Sequence, residues 1–302
     1  LSLVHHLRRA LHAASWWLAR FDTRRETEPP EPPEHRRAEI ERFLDSLDYP
    51  DDNARRYVAV HRERFLRTLT MVPPPGERSR VLELGAYMQM TPVLGCVHGY
   101  REVRGAYFGP LGKTEEKVAT AGGREIFRCF VDCFNAELDP FPYPDAHFDA
   151  VLACEIFEHF LHDPMHMLFE CRRVLAPGGA LILTTPNVAS YTAVARILEM
   201  SGNPQLYSLY AYPRAPHARE EVGHVREYTP AELEEAVRSA GFAVEYLFTR
   251  VAPGYNSAAW VPRLLERNNA TTILRGEQMF LRARKLPSAP LVRYPRFLYD
   301  AG

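Results

Sequence analysis

The sequence has almost no lysine, almost no net charge and no long apolar run. Lysine occurs only at Lys113, Lys117 and Lys285 among 37 Lys and Arg residues, which we read as coding bias rather than function. The formal net charge is −1, so no global basic field argues for a nucleic-acid partner. No apolar stretch reaches the roughly 20 residues that a membrane-spanning helix needs. Cysteine is sparse: Cys96, Cys129, Cys133, Cys154 and Cys171 are odd in number, scattered and mostly inside apolar runs. That pattern predicts buried free thiols in a reducing cytoplasm and not a disulfide framework. No internal repeat is present. The first residue is Leu, so a true start and a targeting segment ahead of it stay open.

What is there is concentrated between Phe148 and Asn187. An apolar run ending in an acid, FDAVLACE (148–155), is followed by a helix-length segment. The turn Pro177-Gly178-Gly179 then leads into a second apolar run, ALILTTPN (180–187). Short apolar runs separated by a helix read as buried parallel strands. Ligands of such sheets sit beyond the carboxyl ends of the strands. Those ends are polar here: Cys154 and Glu155 on the first, Thr184 to Asn187 on the second.

The remaining strands are read at RVLELG (80–85), EVRGAY (102–107), IFRCFVD (126–132), VEYLFTRV (244–251) and EQMFLRARK (277–285), with helix-length segments between them. Strand–helix alternation predicts a doubly wound α/β fold with seven strands, mostly parallel. Ahead of it, residues 1–76 form an N-terminal helical extension. Residues 1–22 make an amphipathic helix with Trp16 and Trp17, suited to packing on the main domain or a partner, with peripheral membrane contact as the other reading. TEPPEPPE (27–34) is a stiff linker, and helices follow at about 35–48 and 51–71. The main domain spans 77–285, and 286–302 is an extended tail.

Residues 188–228 form a long insertion after strand five, rich in Tyr, His and Arg. Insertions at this end of a sheet build lids and substrate pockets. Tyr191, Tyr212, Arg226 and Tyr228 are the candidates for holding a polar, ring-containing small molecule. An aromatic cap with no ligand is the alternative. His162 and His166 have the i,i+4 spacing of a helical metal pair. The intervening Asp163-Pro164 reads instead as an N-cap and the first helical position, and no metal is expected.

The ordered set VLELGA (81–86), FNAELDPFPYPDAHFDAVLACEIFEHF (134–160), DPMHMLFECRRVLAPGGALILTTPN (163–187) and GHVREYTPAEL (223–233) resembles the class I S-adenosylmethionine-dependent methyltransferases. The similarity is to the bacterial methyltransferase-domain type associated with glycan and secondary-metabolite biosynthesis. The resemblance implies a Rossmann-like seven-stranded sheet with the last strand antiparallel and S-adenosylmethionine as cofactor. It also implies methyl transfer to a small-molecule acceptor. A sugar hydroxyl leads, with N- or C-methylation and a non-catalytic methyltransferase-fold binding protein as alternatives. A nicotinamide dehydrogenase is disfavoured by the absence of GxGxxG.

By the same resemblance, Glu83 sits near the methionine amino group, Gly85 and Ala86 begin the cofactor loop, and Asn135, Ala136 and Glu137 meet the adenine. Cys154 and Glu155 close strand four beside the methionine end. Two departures stand out. The loop Gly85-Ala86-Tyr87-Met88-Gln89-Met90 keeps only the first family glycine, and Tyr107 takes the place of the acid that holds the ribose. A Tyr hydroxyl or a backbone group is left to bind the ribose. His224 and His159 are the catalytic candidates. His224 acts as base or as substrate-orienting group, and His159 as base or as a structural histidine.

Overall fold

The computed structural model describes residues 26–205, 223–254 and 259–300. Among the described residues three helices come first: α1 (Glu34–Ser46), α2 (Asp52–Val60) and α3 (Arg62–Met71). The helix expected over 51–71 is split at His61, whose φ of −99° and ψ of 16° lie outside the helical well. Strands β1 (Arg80–Leu84), β2 (Glu102–Tyr107), β3 (Thr114–Ala121), β4 (Arg124–Cys133), β5 (Phe148–Cys154), β6 (Leu175–Pro186), β7 (Phe242–Arg250) and β8 (Gln278–Lys285) form one sheet. Between them lie α4 (Thr91–Cys96), α5 (Pro164–Val174), α6 (Tyr191–Leu198), α7 (Pro230–Ser239) and α8 (Trp260–Arg267).

The sheet order is β3-β4-β2-β1-β5-β6-β8-β7. β1, β2, β4, β5 and β6 run parallel, β8 is antiparallel to both β6 and β7, and β3 is antiparallel to β4. The expectation of seven strands is therefore short by one. The segment between β2 and β4, expected to be helix-length, is instead an edge strand. It turns back through Gly122 and Gly123, both at positive φ (56° and 73°), the backbone that a two-residue hairpin turn needs.

Alternate strand residues supply two cores, because strand side chains point to opposite faces with period two. Leu82, Val151, Leu181 and Leu281 pack with Met165 and Leu168 of α5 and Leu233 and Val237 of α7. Val81, Leu152, Ile182 and Phe280 pack on the other face with Ile40, Leu66, Leu69 and Val93. The N-terminal helices α1 and α3 thus complete one face of the sheet. Local signals start the flanking helices. Asp163 caps α5 by accepting from the His166 N–H, with Pro164 at the first position. Thr229 and Glu232 form a reciprocal capping box on α7, an arrangement that satisfies two orphan donors.

The Pro-rich stretch expected to be a linker lies along the β7 edge. Thr27 pairs with Leu247, and the Glu26 carboxylate accepts from the Thr249 N–H and hydroxyl. An exposed edge strand is thereby covered. The tail has neither helix nor strand over 286–300. Phe297, Leu298 and Tyr299 pack on the first core, and Arg293 donates to Asp163 at 2.9 Å. The amphipathic helix read over 1–22 and much of the expected lid, 206–222, lie outside the described residues. No helix among the described residues is long and apolar enough to cross a membrane.

Candidate active site

The carboxyl ends of the five parallel strands open on one cavity of about 650 Å³, a size common for small-molecule and cofactor sites. Its lining includes Glu83, Leu84 and Gly85 after β1, Ala106 and Tyr107 at β2, and Phe134 to Glu137 after β4. Cys154 to Ile156 follow β5, Thr184 is on β6, and His159, Phe160, Leu161 and His162 complete that side. Parallel strands leave their last residues with free side chains at one sheet edge, which is why residues far apart in sequence meet here.

Glu83 is 2 % exposed and accepts from the Thr91 hydroxyl at 2.5 Å. Burial pushes its carboxyl up to about 7, against which the Thr91 hydrogen bond acts weakly. Gly85 has φ +72°, and a Cβ there would lie 3.0 Å from Ile156 Cγ2. The position demands glycine on backbone grounds as well as for access to the cavity. Ala86 is buried, donates its N–H to the Ala106 carbonyl at 3.0 Å and is not a lining residue. Met88, where the family loop is glycine-rich, sits at φ +66°. The left-handed backbone persists there without the glycine that usually permits it.

Tyr107 ends β2 with its hydroxyl 3.0 Å from that of Tyr87, the two rings meeting edge to face. The Asn135 side chain accepts from the Glu137 N–H at 2.9 Å. The Glu137 carboxylate is itself turned to the His162 and Asp163 N–H groups, tying the end of β4 to the start of α5. Burial pushes the Cys154 thiol well up, so it sits there as a neutral group.

Glu155 occupies the left-handed region at φ +54°. Its carboxylate accepts from Thr184 at 2.8 Å, Gln278 at 2.8 Å and Arg64 at 2.9 Å. Arg64 comes from α3, and Tyr57, Phe65 and Thr68 of the N-terminal helices line the same cavity. Sequence reading treated this region as an extension and missed its part in the site. No local pattern marks a contact between residues 91 positions apart.

His159 faces the cavity from the short 3₁₀ turn Phe157–His159. Its ring meets that of His224 edge-on, with centroids 4.7 Å apart. His224 is not a lining residue; its Nδ1 is 3.2 Å from Glu227 Oε1. Of the four proposed acceptor-binding residues, three are described and none lines this cavity. Tyr228 is 1 % exposed and packs on Phe157 with centroids 4.7 Å apart. Tyr191 donates its hydroxyl to the Thr272 carbonyl at 2.6 Å. Arg226 pairs with Glu232 at 2.7 Å and lies over the Tyr228 ring. Tyr212 lies outside the described residues.

Residues 112–183 match the family described as "Methyltransferase domain". The chain is 36 % identical over 115 residues to a probable S-adenosylmethionine-dependent methyltransferase of Mycolicibacterium smegmatis, covering 38 % of this chain and 36 % of that one. It is 37 % identical over 62 residues to a second such protein from Mycobacterium tuberculosis, covering 20 % and 22 %. The chain thus spans about a third or less of the length of these curated relatives. Among solved structures it is similar to an S-adenosylmethionine-dependent methyltransferase from Mesorhizobium loti, at 18 % identity and a TM-score of 0.44, covering 72 % of this chain and 95 % of that one. With β3 set aside, the observed strand order β4-β2-β1-β5-β6-β8-β7, antiparallel only at β8, is the doubly wound arrangement implied by the sequence resemblance. The chain is thus similar to S-adenosylmethionine-dependent methyltransferases over its matched segment, 112–183.

Proposed function

We propose that the whole protein is an enzyme that moves the methyl group of S-adenosylmethionine to a hydroxyl of a small molecule, a sugar or glycosylated metabolite. The observation that carries the cofactor part is Glu83: a buried carboxyl group lining a cavity ringed by five strand ends. Such an acid suits the ammonium of the methionine end, which would supply the countercharge that burial denies it. Gly85 leaves the backbone bare where a cofactor passes the end of β1. The Tyr107–Tyr87 hydroxyl pair stands where a ribose needs partners, and Asn135 and Ala136 offer a wall for the adenine. The five cysteines are free thiols, which fits a reducing, cytoplasmic setting.

When bound, the cofactor supplies a methyl group already activated by a sulfonium. The protein's work is then placement of the acceptor and removal of its proton. His159, on the cavity wall, is the group in reach of an acceptor hydroxyl, and His224 stands behind it. The choice of a hydroxyl rests on the resemblance of the 134–187 and 223–233 segments to glycan-modifying and secondary-metabolite enzymes. Tyr191, Tyr228 and Arg226 hold the frame of the acceptor side rather than the acceptor itself.

The activity test is release of S-adenosylhomocysteine from S-adenosylmethionine in the presence of a panel of glycosides and hydroxylated metabolites. Acceptor-dependent release is expected. Tight cofactor binding with no release across sugar, amine and carbon acceptors would favour a non-catalytic binding protein.

Glu83 also sets an expected pH dependence. Its carboxyl titrates at about 7 without ligand, and the ammonium of the cofactor favours the ionised form. Below pH 7 a proton must leave on binding. S-adenosylhomocysteine affinity should therefore rise by about tenfold from pH 6 to pH 8 and level off above. Glu83→Gln should bind weakly with a flat profile. Calorimetry showing the same slope in the variant would remove Glu83 from this role.

A further inference from the structure

Glu158 is wholly buried in the turn after β5. Its Oε2 accepts from the Thr185 hydroxyl at 2.8 Å, while its Oε1 has no hydrogen-bond partner among the described residues. A buried carboxylate oxygen left unsatisfied is costly. That oxygen lies 3.9 Å from His224 Nε2. On its other side the His224 ring meets the buried Glu227 carboxylate, Nδ1 to Oε1 3.2 Å. The His224 ring therefore lies between two buried carboxyl groups, with Nδ1 on the Glu227 side and Nε2 on the Glu158 side. The 3.9 Å between Nε2 and Glu158 Oε1 is too wide for a hydrogen bond.

His159 joins them: one donor atom from each of Glu158, His159 and His224 lies within 4.8 Å of the other two. The arrangement is held from the backbone as well. The N–H groups of Val225 and Arg226 donate to the Glu158 carbonyl at 2.8 and 3.2 Å, pinning the His224 segment to the β5 turn. Other charges near the cluster are compensated. The Glu155 carboxylate is engaged by Arg64, Thr184 and Gln278.

We propose that Glu158, His159 and His224 bind one divalent first-row transition-metal ion, with Glu227 orienting His224, and that the ion turns an open position toward the cavity. Two imidazoles and one carboxylate are a donor set for Zn²⁺, Co²⁺ or Mn²⁺, and three protein ligands leave room for water or a substrate oxygen. A carboxylate behind the ligating imidazole is the usual outer partner of such a histidine. His159 lines the cavity, so the open position faces the acceptor side. Resting on the methyltransferase reading, the ion's role is to bind the acceptor hydroxyl and lower its pKa. The hydroxyl proton leaves to water, the oxygen attacks the methyl carbon, and the S–CH₃ electron pair returns to sulfur as the thioether.

The test is titration of the chelator-treated full chain with Co²⁺, followed by its visible absorption, and with Zn²⁺ by calorimetry. One ion per chain is expected, with cobalt bands showing nitrogen ligation. Glu158→Gln, which keeps its shape and its bond to Thr185, and His224→Ala should each lower affinity at least about 100-fold; Glu227→Gln should lower it about 10–100-fold. S-adenosylhomocysteine affinity should stay within about twofold of the parent in Glu158→Gln, which also reports that the variant is folded. Absence of stoichiometric binding to the parent chain overturns the site, as does equal binding by the parent, Glu158→Gln and His224→Ala. Metal binding without S-adenosylhomocysteine binding would instead sink the methyltransferase reading and leave the metal site standing.

Discussion

Gly85→Val should lose S-adenosylhomocysteine binding by roughly 100-fold or more, equivalent to about 2.7 kcal/mol. Two independent effects act at this position. The backbone is at φ +72°, a conformation that costs an L-residue about 1–2 kcal/mol and a β-branched one more. The added side chain also starts 3.0 Å from Ile156 Cγ2 at the end of β5, and relief of that contact moves atoms toward the cavity. The strain is local and small against the sheet, so the far-UV spectrum and a cooperative melt should persist. Gly85→Ala should fall between parent and valine. Calorimetry that finds the valine variant within threefold of the parent would remove the cofactor from the end of β1.

Arg64→Met should destabilise the protein by about 2–3 kcal/mol, somewhat less than the roughly 3–5 kcal/mol that breaking a fully buried ion pair costs, because this pair keeps some exposure. Arg64 and Glu155 have side chains only 10 % and 19 % exposed and meet at 2.9 Å. Glu155 already sits in a strained backbone conformation at φ +54°. Without the guanidinium its charge is left beside the buried Glu158, with only Thr184 and Gln278 as donors. The loss should appear as a melting temperature lower by roughly 5–10 °C. Adding Glu155→Gln should recover most of it, since the unpaired charge and not the missing contact dominates; a double-mutant cycle measures this coupling. A single-variant loss under about 0.5 kcal/mol, typical of a surface pair, would show that α3 merely rests against the domain.

The contrast between these two residues shows what a single sequence carries. Gly85 is marked in the sequence because a strand end, a glycine and an acid two residues earlier occur together locally. Arg64 is not, because its partner is set by how α3 packs on the sheet. The strands of the core are legible from apolar runs such as VLEL (81–84) and ALIL (180–183), buried on both faces. β3 is not, because TEEKVATA is mostly exposed and carries charge. It is held by its backbone ladder to β4 and not by apolar burial. The signal that could have found it is Gly122-Gly123, whose N–H groups also donate to the Asp48 carboxylate at 3.1 and 2.8 Å.

The acceptor side was read from composition, and composition does not say which way a ring points. Tyr191 and Tyr228 spend their rings on the frame. His159 and His224 are 65 positions apart in the sequence. Only the fold places both beside Glu158, because the residues preceding α7 return to the end of β5. The metal spacing visible in the sequence, His162 and His166, belongs instead to a capped helix start: the His166 ring meets the Asp139 carbonyl at 2.8 Å and its N–H meets Asp163.

The central claim is that the cavity at the carboxyl ends of β1, β2, β4, β5 and β6 holds the adenosyl cofactor. Calorimetric titration of the full chain at pH 8 with S-adenosylhomocysteine tests it most directly. One saturable site per chain is expected, matched by about 2.7 kcal/mol of added stability at 100 times the dissociation constant. A folded protein that gives neither binding heat nor stabilisation would contradict it.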